Sequence, residues 1–142
     1  MLSQTAEYAL RAMVSLARGG SHTAHQVAAD AHVPLDYLSK ILNALGRAGL
    51  VSAQRGRGGG FQPARPANEI SVLEVISAVD PVRRIHTCPL GLAVHGTNLC
   101  PLHRKLDDAA QSMEETFRMT TIGSLAEVPF CPEEETCAAV AR

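Results

Sequence analysis

Two cysteines and three histidines crowd into residues 86–103: His86, Cys88, His95, Cys100 and His103. Thiolate and imidazole are the donors that bind zinc and iron–sulfur clusters. Cys100-Pro101-Leu102-His103 sets one of each on the same side of a helix start, where the helix N-terminus favours thiolate. Spacing alone does not choose the metal. Structural zinc sites show close cysteine pairs, roughly two to four residues apart, and Cys88 is separated from Cys100 by eleven residues. In a reducing compartment such a loop fits a labile cluster better than a fixed staple. The plainer alternative is two buried, inert cysteines beside an ordinary surface histidine. Cys131 and Cys137 lie five residues apart in an acidic tail, where a redox pair is conceivable.

These donors need a scaffold. Pro101 suits the first turn of a helix, where its missing N–H is harmless. From there Leu102, Leu106, Ala109, Ala110, Met113 and Phe117 recur at three and four residues as one apolar stripe, with Lys105, Asp107, Asp108, Glu114 and Glu115 on other faces. Residues 82–98 read as a loop. A long helix attached to a small domain has little of its own to pack on, so antiparallel pairing in a homodimer is expected. The alternative is that it folds back on the chain's own first helix. Residues 120–128 should form a turn and a short helix.

Upstream, Ser3–Arg18 reads as a first helix closed by Gly19-Gly20. Thr23-Ala24-His25-Gln26 is a capping box for a short second helix, which His32-Val33-Pro34 breaks. Leu35–Gly49 reads as a third helix with Leu38, Ile41, Leu42, Leu45 and Ala48 on its inner face. A short strand, the basic glycine-rich turn Gln54–Gly60 and a return strand at Phe61-Gln62 follow, then Ser71-Val72-Leu73-Glu74 caps a fourth helix ending at Asp80-Pro81. Two short helices and a basic hairpin describe a winged helix-turn-helix, which lays a helix into a DNA major groove. The predicted fold class is mainly α with a small β-hairpin wing and a long C-terminal dimerisation helix.

The predicted DNA contacts are Leu35, Asp36, Tyr37, Ser39 and Lys40 at the start of the third helix, and Arg55, Arg57 and Gly58 in the wing. Ser39 and Lys40 can bond base edges, and Tyr37 can reach phosphate or a thymine methyl. Asp36 is expected to cap the helix, with acceptance from a cytosine amine as the alternative. The arginines can enter a minor groove, since their glycine neighbours let the backbone approach. A merely flexible hairpin is the alternative.

Composition agrees. The 142 residues are 46% hydrophobic with no Trp, an aliphatic and helix-favouring core. Residues 1–70 carry +3 and residues 71–142 carry −4, a basic front and an acidic back. There is no secretory pattern and no apolar run near the ~20 residues of a membrane span, so a cytoplasmic protein is expected. No nucleophile–base set or carboxylate pair stands out, and Gly58-Gly59-Gly60 lacks the Lys-Ser/Thr of a phosphate loop, so no enzyme is expected. A winged helix serving only protein contacts is a further alternative. The expected organisation is a DNA-binding domain over 1–80, a sensor loop over 81–100, a dimerisation helix and turn over 101–128, and a mobile acidic tail over 129–142.

Several segments resemble the IscR/NsrR (Rrf-two) family of winged-helix regulators, from Met1 to about Leu125. They are Glu7-Tyr8-Ala9-Leu10, Val33-Pro34-Leu35-Asp36-Tyr37-Leu38, Leu45–Val51, Val72-Leu73-Glu74-Val75-Ile76 and, most specifically, the wing Arg55-Gly56-Arg57-Gly58-Gly59-Gly60-Phe61. The resemblance implies a homodimeric bacterial transcription factor, often a repressor, binding a double-stranded operator and controlled by an iron–sulfur cluster. Relatives commonly place three evenly spaced cysteines before the long helix. Cys88 and Cys100 match the first and third, and Val94 holds the middle position. His103 matches a histidine ligand of one branch, Glu7 an acidic ligand given by the partner subunit, and His32 a ligand in a two-cysteine branch. His95 adjoins the vacant position. With two thiolates, a 2Fe–2S cluster of raised potential is the implied cofactor, sensing redox, iron or nitric oxide. Some relatives sense through a thiol without metal.

Overall fold

Helix α1 (Gln4–Ala17) lies at the centre, because its small residues Ala6, Ala9 and Ala12 are buried and let neighbours approach closely. Ser3 caps it, its hydroxyl accepting from the Ala6 N–H at 3.2 Å. Around α1 pack α2 (Ala24–Ala31), α3 (Leu35–Arg47), α4 (Val72–Val79) and α6 (Ile122–Ala126), while α5 (Pro101–Met119) packs on α4. The computed structural model describes residues 1–95 and 98–128. Cys131, Cys137 and the tail lie outside the described residues.

Both sequence capping boxes form. Thr23 and Gln26 bond reciprocally at the start of α2, as do Ser71 and Glu74 at the start of α4. Helix α2 ends when His32 turns left-handed (φ 51°, ψ 49°), which brings Val33 and Pro34 round into the start of α3. Asp36 does not cap α3. Pro34 occupies that position without a side-chain cap, and Asp36 sits in the first turn, where its charge suits the helix dipole. At the other end α3 stops at Arg47, two residues before Gly49, whose positive φ of 73° lets the Leu50 N–H reach back to Leu45 at 2.9 Å.

The wing is the antiparallel pair β1 (Val51–Gln54) and β2 (Gly60–Pro63), with Val51 opposite Pro63 and Gln54 opposite Gly60. His22 adds a third rung, exchanging both backbone bonds with Phe61. A side chain at Gly60 would stand 2.6 Å from the His22 carbonyl oxygen, so only glycine lets this segment close on the wing.

The long helix departs from expectation in one respect. No residue of the 19-residue α5 is fully buried. Its apolar stripe divides along the length. Ala110, Met113 and Phe117 are half-buried against the fold, whereas Leu102 and Leu106 are 62% and 50% exposed and Ala109 is also exposed. Within the chain the helix packs mainly on α4. Past α5 the chain returns to the head: Val72 N–H donates to Thr120 O and Ile122 N–H to Ile70 O, and α6 then docks on α1.

Leu45, fully buried on the inner face of α3, anchors the reading helix. Leu45→Ala should cost about 2–5 kcal/mol in urea unfolding, by lost burial and residual cavity; a value under about 1 kcal/mol would mean that α3 is not held by this face.

Candidate nucleic-acid interface and cysteine–histidine site

Helix α3 buries Leu38, Ile41, Leu42 and Leu45, which leaves Asp36, Tyr37, Ser39 and Lys40 exposed and Leu35 partly so. Tyr37 is not free to swing. It meets Tyr8 of α1 edge-on at 6.2 Å between ring centres, and the Lys40 ammonium lies 5.9 Å from its ring centre. Ser39 donates its hydroxyl to Leu35 O at 3.1 Å, leaving its lone pairs outward. In the wing, Arg55, Arg57 and Gly58 are exposed, and neither arginine has an ion-pair partner among the described residues. Unpaired guanidinium groups on a glycine-rich turn beside an exposed helix face make a surface suited to phosphate and base edges.

The second site is built by α5 and the segment before it. Arg84 forks onto Asp107, Nε to Oδ1 and Nη2 to Oδ2, both at 2.7 Å, and also reaches Glu114 at 3.4 Å and Gln111 at 3.3 Å. The Ile85 N–H donates to Asp107 Oδ1 at 2.8 Å. The Arg84 hydrogen bonds, then the Ile85 N–H, hold the Asp107 carboxyl well below the usual carboxylate range, and Asp107 raises Arg84 in turn. His103 stands one helical turn before Asp107 on the same face, so a segment pinned at Arg84 and Ile85 brings Cys88 alongside His103. Residue spacing carried no signal for this clasp, because its partners are 23 residues apart.

Cys100 sits at the N-cap of α5, 7% exposed, with Pro101 in the first turn. Its Sγ is 3.1 Å from His103 Nδ1, and Cys88 Sγ is 3.7 Å from the same nitrogen. The donor atoms of Cys88, Cys100 and His103 all lie within 4.8 Å of one another. His95 joins from the other side, its Nδ1 3.4 Å from Cys88 Sγ. Glu7 and His32 are not in the group. Glu7 pairs with Arg11 on α1, and His32 is the exposed residue that closes α2. His86 is exposed and outside it too. Val94 is 87% exposed and offers no donor. The Leu90 N–H, helped by the Cys100 backbone and by His95 and His103, lowers the Cys88 thiol to about 6 against the opposing effect of burial.

A helix-turn-helix with a basic wing, joined to an arm bearing a cysteine–histidine cluster, defines the class as a DNA-binding transcriptional regulator. Residues 2–128 match the Rrf2 family, described as iron-dependent transcriptional regulators, and the chain belongs to that family. It is 37% identical over 132 residues to a protein of Mycobacterium tuberculosis named as an HTH-type transcriptional regulator, covering 88% of this chain and 80% of that one. Among solved structures it is similar to CymR, the global cysteine regulator of B. subtilis (TM-score 0.74, 23% identity, 89% of this chain and 96% of that one). It is also similar to IscR of T. potens (TM-score 0.72, 22% identity, 89% and 86%). Both structures share the fold.

Two measurements follow from these geometries. Arg57→Ala should weaken binding to any duplex and flatten the slope of log affinity against log salt by about 1, while sparing sequence preference; an unchanged slope would place the wing off the DNA. In metal-free protein at pH 7, Cys88 should alkylate faster than buried Cys100, its rate rising through a midpoint at about pH 6.

Proposed function

We propose that this chain is a homodimeric repressor that binds a double-stranded operator through α3 and the wing, with affinity set by the chemical state of the Cys88–Cys100–His103 site. The observation that carries this reading is mechanical. The site is clasped by Arg84 and Asp107 to α5, and the far end of α5 is hydrogen-bonded to the base of the DNA-reading head at residues 70–72. A change at the site is therefore a change in the arm that orients the head. Leu102, Leu106 and Ala109 form the exposed apolar face of that arm, and an antiparallel copy would cover it. Such pairing would place two reading helices about 34 Å apart, one DNA turn.

The sensing chemistry implied by the family resemblance is an iron–sulfur cluster responding to redox, iron or nitric oxide. For a 2Fe–2S cluster the chain offers Cys88, Cys100 and His103, and a second copy would have to add Glu7 or His32. The lowered Cys88 thiol favours one other reading: a metal-free switch in which that thiolate is oxidised or modified. The organisation into head, clasped loop and pairing helix follows the boundaries 1–80, 81–100 and 101–128.

Operator affinity, measured at one salt concentration on metal-loaded and metal-free protein, should differ by about 5- to 150-fold. Equal affinities would remove the switch. Leu106→Asp should yield monomers in sedimentation and lose operator binding while the head stays folded.

A further inference from the structure

Helix α3 offers a duplex one more polar side chain than its first two turns suggest. Leu38, Ile41, Leu42 and Leu45 are buried along one face. At about 3.6 residues per turn the opposite face carries Asp36, Ser39, Lys40, Asn43 and Arg47, and all five are exposed. Asn43 is absent from the contacts expected from sequence, which stop at Lys40.

The engagements of these side chains set Asn43 apart. Ser39 spends its hydroxyl proton on Leu35 O, and the Lys40 ammonium lies 5.9 Å from the Tyr37 ring centre. An ionised Asp36 only accepts hydrogen bonds, and Arg47 only donates them. Asn43 carries the one carboxamide on this face, an acceptor and a two-proton donor side by side. Among the described residues neither atom has a hydrogen-bond partner. In the major groove only adenine presents a matching pair on one base, an N6 amine that donates and an N7 that accepts. Guanine offers two acceptors there, cytosine an amine, and thymine a carbonyl and a methyl group.

Helix geometry adds the position. Asn43 stands one turn beyond Ser39 and about 4.5 Å along the axis from Lys40. Base pairs rise about 3.4 Å each, so Asn43 comes level with the pair next to the one that Lys40 meets. The chain turns from Arg47 into β1, and the Leu50 N–H bonds back to Leu45 O at 2.9 Å, so the base of the wing abuts the last turn of α3. A duplex held by both the first turn and the wing crosses the middle of the helix, where Asn43 stands.

We propose that Asn43 is a specificity-determining residue of the operator interface, with its Oδ1 accepting from adenine N6 and its Nδ2 donating to adenine N7. The proposal rests on the DNA-binding reading above and adds to it the base that this part of α3 selects.

The test begins with selection of preferred duplexes from a randomised pool by full-length protein isolated anaerobically. The selected duplex is then competed against its single-base variants at one salt concentration. Asn43→Ala should bind the selected duplex roughly 5- to 150-fold more weakly and lose discrimination at one adenine position, with the other positions unchanged. Its slope of log affinity against log salt should stay the same, because no charge is removed. Placing 7-deazaadenine at that position deletes only the N7 acceptor. Affinity should then fall for the unsubstituted protein and fall no further for Asn43→Ala. Circular dichroism reports that the variant is folded. Asn43→Ala that keeps every base preference, or that weakens alike on all duplexes, overturns the proposal and leaves α3 and the wing on DNA. So does an unchanged affinity of the unsubstituted protein for the 7-deazaadenine duplex. Unsubstituted protein that selects no duplex at low salt overturns the DNA-binding reading and this proposal together.

Discussion

The fork of Arg84 on Asp107 is the contact on which the back half of this molecule depends. Among the described residues from 82 to 95 the short 3-10 turn Ala93–His95 is the one regular element, and nothing in their own backbone fixes where Cys88 should lie. A bidentate guanidinium–carboxylate pair supplies direction as well as attraction, which a lysine could not. Asp107 accepts the Ile85 N–H as well, so one carboxylate holds two successive residues of the irregular segment that leads to Cys88. The pair is partly shielded, with side chains 24% and 16% exposed, so it is less open to screening by salt than the surface pairs elsewhere in the chain.

Packing divides the molecule unevenly. The head has a continuous aliphatic core around α1, drawn from all the helices that touch it. Helix α5 contributes only half-buried side chains to that core and keeps its first two turns outside it. Its start is tied down by polar contacts and its end by backbone rungs. A helix held this way can tilt at small energetic cost, because few buried apolar contacts need to break. The cysteine–histidine cluster sits at its freer end.

Much of this architecture could be read from residues alone. The capping boxes at Thr23 and Ser71, the proline at the start of α5 and the periodicity of α3 each have local physical causes, and each formed. Asp36 failed as a cap because its role depended on where α3 begins, and Pro34 took the cap position. The stripe on α5 was legible as apolar, but not as two different surfaces, since burial depends on where α4 ends. The cysteine site shows the limit most clearly. Eleven residues between Cys88 and Cys100 argue against a closed zinc site by spacing, yet the clasp at Asp107 folds the loop so that both sulfurs lie close to one imidazole nitrogen. Proximity there is made by an ion pair 23 residues apart, which no local pattern announces. Glu7 and His32 were likewise legible only through resemblance, and within one chain they stand apart from the cluster.

The bridge between Ser71 and Thr121 has a consequence for how such proteins diversify. After α4, whose Val72, Val75 and Ile76 belong to the core of the head, residues 80–120 leave it, and the chain rejoins it at these rungs beside the start of α4. The excursion is thus topologically an insertion, and lengthening it adds closure entropy only logarithmically. A different receptor module can occupy the excursion while the reading head keeps its own core, so the two halves of the gene are free to change at different speeds.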